Sequence, residues 1–214
     1  MPKIDNLSSG QIVGIPLNHN LGYIFCKIVN LMDYAEIDLS KTFHFLIYPF
    51  GYIENDIKLF SLPKFLNSEP LTGGIFIIDI LPIINKNKWK IVGQTELLDY
   101  EKRVPDFRGF NPIVAKYETE ATSWRYYEKG LATKWILAEY DAVKHLEDNT
   151  AYSHDLIEKR LSMEILRKSN IEIQKFYELK EWQDLAVYYN MLYTQPFCEI
   201  PNAMKGKVKS NNGA

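Results

Sequence analysis

The spacing of apolar residues changes near Ser153, and this change limits the chain to a small set of folds. Before it, short runs rich in β-branched and aromatic residues are separated by turn residues, a pattern typical of β-strands. After it, the apolar residues of 153–170 recur at intervals of three and four, which is the period of a helix with one buried face. Strands followed by helices, rather than alternating with them, indicate an α+β protein.

The N-terminal strands are marked by turn residues. Runs 11–17 and 22–31 are β-branched and aromatic, and the Asn-His-Asn turn between them indicates a hairpin. Because Pro16 has no N–H to donate, the first strand should lie at a sheet edge or end near this residue. Further strands are predicted at 42–48, 56–62, 73–80 and 85–95. The almost wholly apolar run 73–80 should cross the core, and it could form a hairpin with 85–95 across the turn at 82–87.

The middle of the chain combines a polar loop with aromatic strands. Residues 96–112 are charged and contain two prolines, so we expect a surface loop. Strands are predicted at 112–119, 123–128 and 131–140, and Gly130 can take the positive φ that a turn between the last two requires. The last segment could instead begin a helix.

Two helices are predicted to follow, over 153–170 and 171–192, joined near 168–170 as a helical hairpin. Ser153 is the expected N-cap of the first, and Pro196 prevents continuation of the second. The predicted fold is therefore a strongly bent, SH3-like antiparallel sheet or barrel in residues 1–150, with a C-terminal helical hairpin over 151–196 packed on it and a tail over 197–214.

Bulk properties exclude several classes of protein. The chain has 214 residues, enough for one ordinary core, and its net charge of −2 argues against a dedicated nucleic-acid binder. Two cysteines, Cys26 and Cys198, fit a reducing compartment. The N-terminus has no signal-peptide pattern, and no apolar run reaches the ~18–20 residues of a membrane span. We therefore expect a cytoplasmic protein without membrane contact.

No motif for catalysis or metal binding stands out. The four histidines are isolated from one another and from the cysteines, so we predict no metal and no cofactor. Cys26 and His44 on successive strands are the only candidates for a nucleophile and its base, and a buried thiol beside a strand-face histidine explains them better. A small hydrolase, using this pair or an unidentified carboxylate pair, stays an alternative.

Six residues are candidates for partner binding. Asp106, Phe107 and Arg108 combine charge with an aromatic anchor, although a surface turn with Phe107 tucked underneath is the simpler explanation. Trp124, Tyr126 and Tyr127 lie in the aromatic strand 123–128, where alternation should bury at least one side. The same aromatics could stack unpaired bases, which leaves a single-stranded nucleic-acid binding module as a further alternative.

Acidic runs at 96–101, 118–120 and 147–148 could steer a basic partner. Solvated surface is the more common explanation for runs of this kind.

Residues 10–17 end in Ile-Pro-Leu, and residues 23–28 form a second short apolar run. Together these two runs resemble the first two strands of the immunity protein 26 family of bacterial polymorphic toxin systems. Residues 88–97 followed by 104–108 resemble its Trp-Pro-Val-Ile-Gly strand and the Pro-x-Phe-Arg segment after it, and 124–130 stands where the family has another aromatic strand. Gln11 replaces the usual acidic residue and Cys26 a common glycine. The likeness extends from Gly10 to about Arg160.

The resemblance implies a β-rich protein, not an enzyme, that binds and neutralises a cognate toxin made by the same cell. Stoichiometric occlusion of the toxin's active site would then be the mode of action. The six candidate binding residues would belong to the interface.

Overall fold

The computed structural model describes residues 6–33, 45–110, 124–130 and 134–207. Its strands are β1 Gln11–Pro16, β2 Tyr23–Asn30, β3 Phe45–Glu54, β4 Ile75–Ile77, β5 Lys90–Gln94, β6 Phe107–Phe110, β7 Trp124–Tyr127, β8 Trp135–Ala138 and β9 Ala151–Tyr152. Its helices are α1 Leu62–Leu66, α2 Ile80–Asn85, α3 Tyr140–Val143, α4 His154–Lys168 and α5 Trp182–Leu192. The strands form a six-stranded sheet in the order β5-β1-β2-β3-β4-β9 and a three-stranded sheet in the order β6-β7-β8.

The N-terminal hairpin is confirmed. β1 and β2 pair antiparallel, with Ile15 opposite Ile24. β1 also pairs with β5, so it is an internal strand and not an edge strand. It ends at Pro16, which was the other expectation for this proline.

Both faces of the large sheet are buried, which accounts for its apolar strands. Successive residues of β2 point to opposite faces. Cys26 and Ile28 belong to one core cluster together with Leu161 of α4. Phe25 belongs to a second cluster, which includes Phe107 of the small sheet. The small sheet and α4 therefore cover opposite faces of the large one.

Two short helices replace structures predicted otherwise. The run 56–62 forms a 3-10 turn and the start of α1 instead of a strand, and residues 80–85 form α2 instead of a hairpin turn. Both errors have one cause, because Pro63 was read as the end of a strand and Pro82 as part of a turn. Both prolines instead lie in the first turn of a helix, where the N–H that proline lacks has no partner within the helix. β5 consequently pairs with β1 rather than with β4.

β3 is longer than predicted and continues past Pro49 to Glu54. The pairing register with β2 shifts just beyond this proline, between Ile24 and Phe25, and prolines are tolerated at such irregularities. Run 73–80 forms only the three buried residues of β4. Strand 112–119, Thr42 and His44 lie outside the described residues.

The C-terminal region is helical with a longer connection than expected. α4 begins after Ser153, as predicted, whereas α5 begins only at Trp182, after a 3-10 turn at Ile173–Lys175. The two helices pack on each other. Phe197 and Ile200, in the segment predicted as a tail, are buried.

The α+β class is confirmed. Strand pairing among the described residues closes neither sheet into a barrel, so the SH3-like form has no support from the strand order. The domain boundaries at 150 and 196 stay a prediction.

Candidate protein-binding surface

The three-stranded sheet brings the six predicted binding residues together. β6 and β7 pair antiparallel, so that Phe107 lies opposite Tyr127 and Arg108 opposite Tyr126. Asp106 directly precedes β6 and connects to the next strand: its carboxylate accepts a hydrogen bond from the Tyr126 hydroxyl at 3.0 Å and another from the backbone N–H of Lys129 at 3.0 Å. Two segments that are separate in the sequence thus form one surface.

Three of the six side chains are buried within the protein itself. Phe107 and Arg108 are 0% exposed and Trp124 is 5% exposed. The Phe107 ring packs against Phe76 of the large sheet, with ring centroids 5.0 Å apart. These three side chains pack inside the protein and support the surface residues. For Phe107 this agrees with the simpler alternative, in which its ring is tucked under a surface turn.

Arg108 connects β6 to the C-terminal half of the chain. Its Nε donates to the Leu146 carbonyl at 3.1 Å, and its Nη2 donates to the Asn190 carbonyl at 3.0 Å and to the Thr194 hydroxyl at 2.9 Å. The guanidinium also lies over the Trp124 ring, 5.2 Å from its centroid. The guanidinium is planar and has several N–H donors, so a single side chain can bind acceptors from several segments at once.

Tyr126, Tyr127 and Asp106 remain accessible in part. Burial raises the pKa of Tyr126, and its hydrogen bond to Asp106 acts in the same direction. The Tyr126 hydroxyl therefore stays protonated and donates to the Asp106 carboxylate, which fixes both side chains at the rim of the surface.

The most exposed apolar residues of this sheet were not singled out from the sequence. In β8, Trp135 is 45% exposed, and Ile136 and Leu137 are each 63% exposed. Since successive residues of a strand point to opposite faces, β8 exposes apolar groups on both of its faces. The Arg125 guanidinium lies over the Trp135 ring at 4.1 Å. The sequence predicted a strand here, but four consecutive apolar residues are equally compatible with a buried one.

Within the described ranges, β8 is also an edge strand. It pairs there only with β7, and none of the described strands binds the backbone N–H and C=O groups of its other edge. Edges of this kind accept an additional strand. We call β8 together with Asp106, Tyr126 and Tyr127 the β8 surface.

Three carboxylates of the predicted acidic runs are buried, whereas Glu96 and Asp99 are exposed. Glu101 accepts from the Lys27 ammonium at 2.8 Å, and Glu147 lies 3.5 Å from the Arg160 guanidinium. Asp148 is 8% exposed. These carboxylates contribute little to long-range attraction of a partner. Residues 118–120 lie outside the described part of the chain.

The chemistry expected of a hydrolase finds little support. Cys26 is fully buried, and burial raises the pKa of its thiol, which disfavours the thiolate that a nucleophile requires. His44, its proposed base, lies outside the described residues. In the described ranges, no three His, Cys, Asp or Glu side chains are grouped so as to hold a metal ion. None of the described helices is long and apolar enough to cross a membrane.

A family model described as Immunity protein 26 matches residues 8–119, just over half of the chain. The chain belongs to the immunity protein 26 family. No curated protein and no solved structure matches it. The immunity protein 26 match spans β1 to β6 and ends before Trp124, so it is shorter than the resemblance that we traced to about Arg160. β7 and β8 lie beyond it, and the β8 surface rests on this chain's own geometry.

Proposed function

We propose that the protein neutralises a cognate toxin by stoichiometric binding in the cytoplasm of the cell that makes it, with no catalytic step. Membership of the immunity protein 26 family is the observation that carries this proposal. The buried thiol of Cys26 supports the non-enzymatic part of it.

We assign the toxin contact to the β8 surface. A toxin strand that pairs with the edge of β8 that has no partner among the described strands would gain main-chain hydrogen bonds, and its side chains would cover Ile136 and Leu137. Both residues are 63% exposed, so the contact would remove apolar area from water at little cost to the folded protein. Tyr127 and Asp106 would form the polar rim.

The first experiment identifies the partner. A tagged form of the protein is used to isolate binding proteins from a lysate of the native cells at low salt, and mass spectrometry identifies what elutes. We expect one stoichiometric partner that carries a toxin domain. A bait that elutes without such a partner contradicts the proposal.

The second experiment tests the surface. The double substitution Ile136→Ser and Leu137→Ser should weaken the toxin complex by about 2–4 kcal/mol, because hot-spot residues have values of this size. Leu66→Ser is the control: Leu66 is 56% exposed on α1 and is not part of the β8 surface, so this variant should bind the toxin normally. Isothermal titration calorimetry measures both. If both variants bind the toxin with equal affinity, β8 is not part of the interface. If the wild-type protein is a dimer without the toxin and the double variant is a monomer, β8 serves self-association instead.

A further inference from the structure

A small cavity lies where the C-terminal segment 197–206 meets the large sheet. It measures about 10 Å³, and its walls include Tyr48 of β3, Gly74, Tyr100 and Lys205. A cavity of this size holds one small group, such as a water molecule or a monatomic ion. A Cβ atom on Gly74 would lie 2.8 Å from the Tyr48 hydroxyl oxygen, so glycine at this position leaves room for that hydroxyl.

Two tyrosine hydroxyls at this cavity need an acceptor. Tyr48 is 2% exposed, and its hydroxyl has no hydrogen-bond partner among the described residues. The Tyr100 hydroxyl is buried and likewise has no partner within these ranges. Burial raises the pKa of both groups and the charge of Glu101 acts in the same direction, so both stay protonated and able to donate. A buried donor is costly unless a ligand or a water molecule accepts from it.

Lys205 brings a positive charge to the same cavity. It is 9% exposed, and its ammonium lies 5.4 Å from the centroid of the Tyr100 ring and 4.9 Å from that of the Phe197 ring. None of the described carboxylates forms an ion pair with it. Burial lowers the pKa of Lys205, and the nearby Cys198 and Glu69 offset only part of this effect. The two rings stabilise the ammonium, but they do not neutralise its charge.

The carboxylates that line the cavity already have other partners. Both oxygens of Asp106 accept hydrogen bonds within the small sheet and the turn after it. Glu147 accepts from the Gly73 backbone N–H at 3.1 Å, and its other oxygen lies 3.5 Å from the Arg160 guanidinium. A water molecule would accept from the free donors but leave the charge of Lys205 uncompensated, whereas an anion does both.

We infer that this cavity binds one monatomic anion, such as chloride, which accepts hydrogen bonds from the Tyr48 and Tyr100 hydroxyls and from the Lys205 ammonium. The anion would join the C-terminal segment to the large sheet. The inference does not depend on the proposed function or on the identity of the toxin.

Chloride is the probe, titrated into the purified full-length protein in place of gluconate. The ionic strength is held at about 0.15 M, so that charge screening does not change during the titration. ¹H–¹⁵N NMR should show saturable shifts at the backbone N–H groups of Gly74 and Lys205. Sulfate is too large for the cavity and should bind at least about tenfold more weakly than chloride.

Variants locate the site. Lys205→Met removes the charge and should abolish the saturable shift at Gly74. Tyr48→Phe removes one donor to the anion and should weaken chloride binding at least about tenfold. Lys207→Met and Tyr23→Phe are the matched controls, because both residues lie outside the cavity lining, and both variants should bind chloride normally. Far-UV circular dichroism establishes that each variant is folded.

Diffraction from crystals grown with bromide identifies the occupant directly. We expect an anomalous peak in contact with Lys205 Nζ and the two tyrosine hydroxyl oxygens. The inference is overturned if chloride gives no saturable shift at Gly74, if Lys205→Met binds chloride as tightly as wild type, if sulfate binds as tightly as chloride, or if bromide does not occupy the cavity.

Discussion

The Arg108 guanidinium donates hydrogen bonds to Leu146, Asn190 and Thr194, residues that come from the far half of the chain. Arg108→Met retains most of the apolar stem, but it removes the donor to these buried acceptors and one of the two guanidinium groups that lower the pKa of Asp148. We expect the free energy of unfolding to fall by about 3–5 kcal/mol, as when one partner of a buried charge pair is removed. Urea denaturation measures this change.

Arg103→Met is the control for this substitution. Arg103 is exposed, and the one hydrogen bond it makes to a described residue is from its Nε to the Asp99 carbonyl, at 3.2 Å. Its replacement should therefore change stability by no more than about 0.5 kcal/mol. Similar losses in the two variants would contradict a structural role for Arg108.

Glu158 provides a pH-dependent prediction. Burial raises its pKa, and the Trp89 indole N–H donates to its carboxylate at 2.7 Å. Between the unfolded pKa, near 4.5, and the higher folded pKa, the folded state holds more protons than the unfolded state, so stability falls as pH rises. Glu158→Gln keeps an acceptor for Trp89 but cannot ionise.

The unfolding free energy of Glu158→Gln relative to wild type should therefore increase from about pH 4 to about pH 7. Denaturant titrations of both proteins across this range measure the difference. A difference that stays constant or decreases would show that Glu158 does not ionise with a raised pKa in the folded protein.

At this scale the sequence predicted which residues come together, but neither their local structure nor which are accessible. The sequence placed residues 106–108 in a surface loop, whereas Phe107–Phe110 form a strand that pairs with β7, opposite Tyr126 and Tyr127. The burial of Arg108 depends on acceptors at 146, 190 and 194, and no local pattern connects an arginine to positions so distant. Ile136 and Leu137 show the opposite case: apolar side chains are usually buried, but these two are exposed.

At the scale of elements, α4 is joined to the β1–β2 connection by one hydroxyl group. Ser162 is fully buried, and its Oγ accepts a hydrogen bond from the Asn18 backbone N–H at 2.8 Å while donating to the Glu158 carbonyl at 2.7 Å. Ser162→Ala leaves the Asn18 N–H without this acceptor. We expect a loss of about 1–3 kcal/mol in stability and faster hydrogen exchange at Asn18.

Ser169→Ala serves as the comparison. Ser169 is an exposed residue at the C-terminal end of the same helix, and its replacement should change stability by no more than about 0.5 kcal/mol. Unchanged exchange at Asn18 in Ser162→Ala would mean that this hydroxyl does not hold the two elements together.

Elements determined by local signals were predicted well, and those determined by distant partners were not. The start of α4 followed from Ser153 and from the period of its apolar residues. The pairing of β5 with β1 brings together segments about eighty residues apart, and a strand's own sequence does not state its neighbour. The prolines of α1 and α2 were ambiguous signals, because proline as a residue type is found both where an element stops and in the first turn of a helix.

At the scale of the whole molecule, Phe197 and Ile200 near the C-terminus belong to the core. Phe197 is 3% exposed and packs against Tyr100, with ring centroids 5.7 Å apart, and the Lys205 ammonium lies over the Phe197 ring, 4.9 Å from its centroid. Phe197→Ala should lower the free energy of unfolding by about 3–5 kcal/mol, the usual cost of removing a buried ring. Thermal and urea unfolding both report this loss.

Cys198→Ala, at the exposed neighbouring position, should be neutral. Equal stability of the Phe197 variant and wild type would instead support a loosely attached C-terminal tail.

The parallel pairing of β4 with β9 has a consequence for synthesis of the protein. β1, β2 and β3 can pair once residue 54 has left the ribosome, but the sheet is complete only after residue 152 has followed. β4 ends at Ile77, so at translation rates of about 5–20 residues per second the nascent chain waits roughly 4–15 s with the edge of β4 uncovered. Under the proposed function, a cell that makes the toxin and this protein together therefore begins each round of synthesis before the new copy of its protecting protein has a complete sheet.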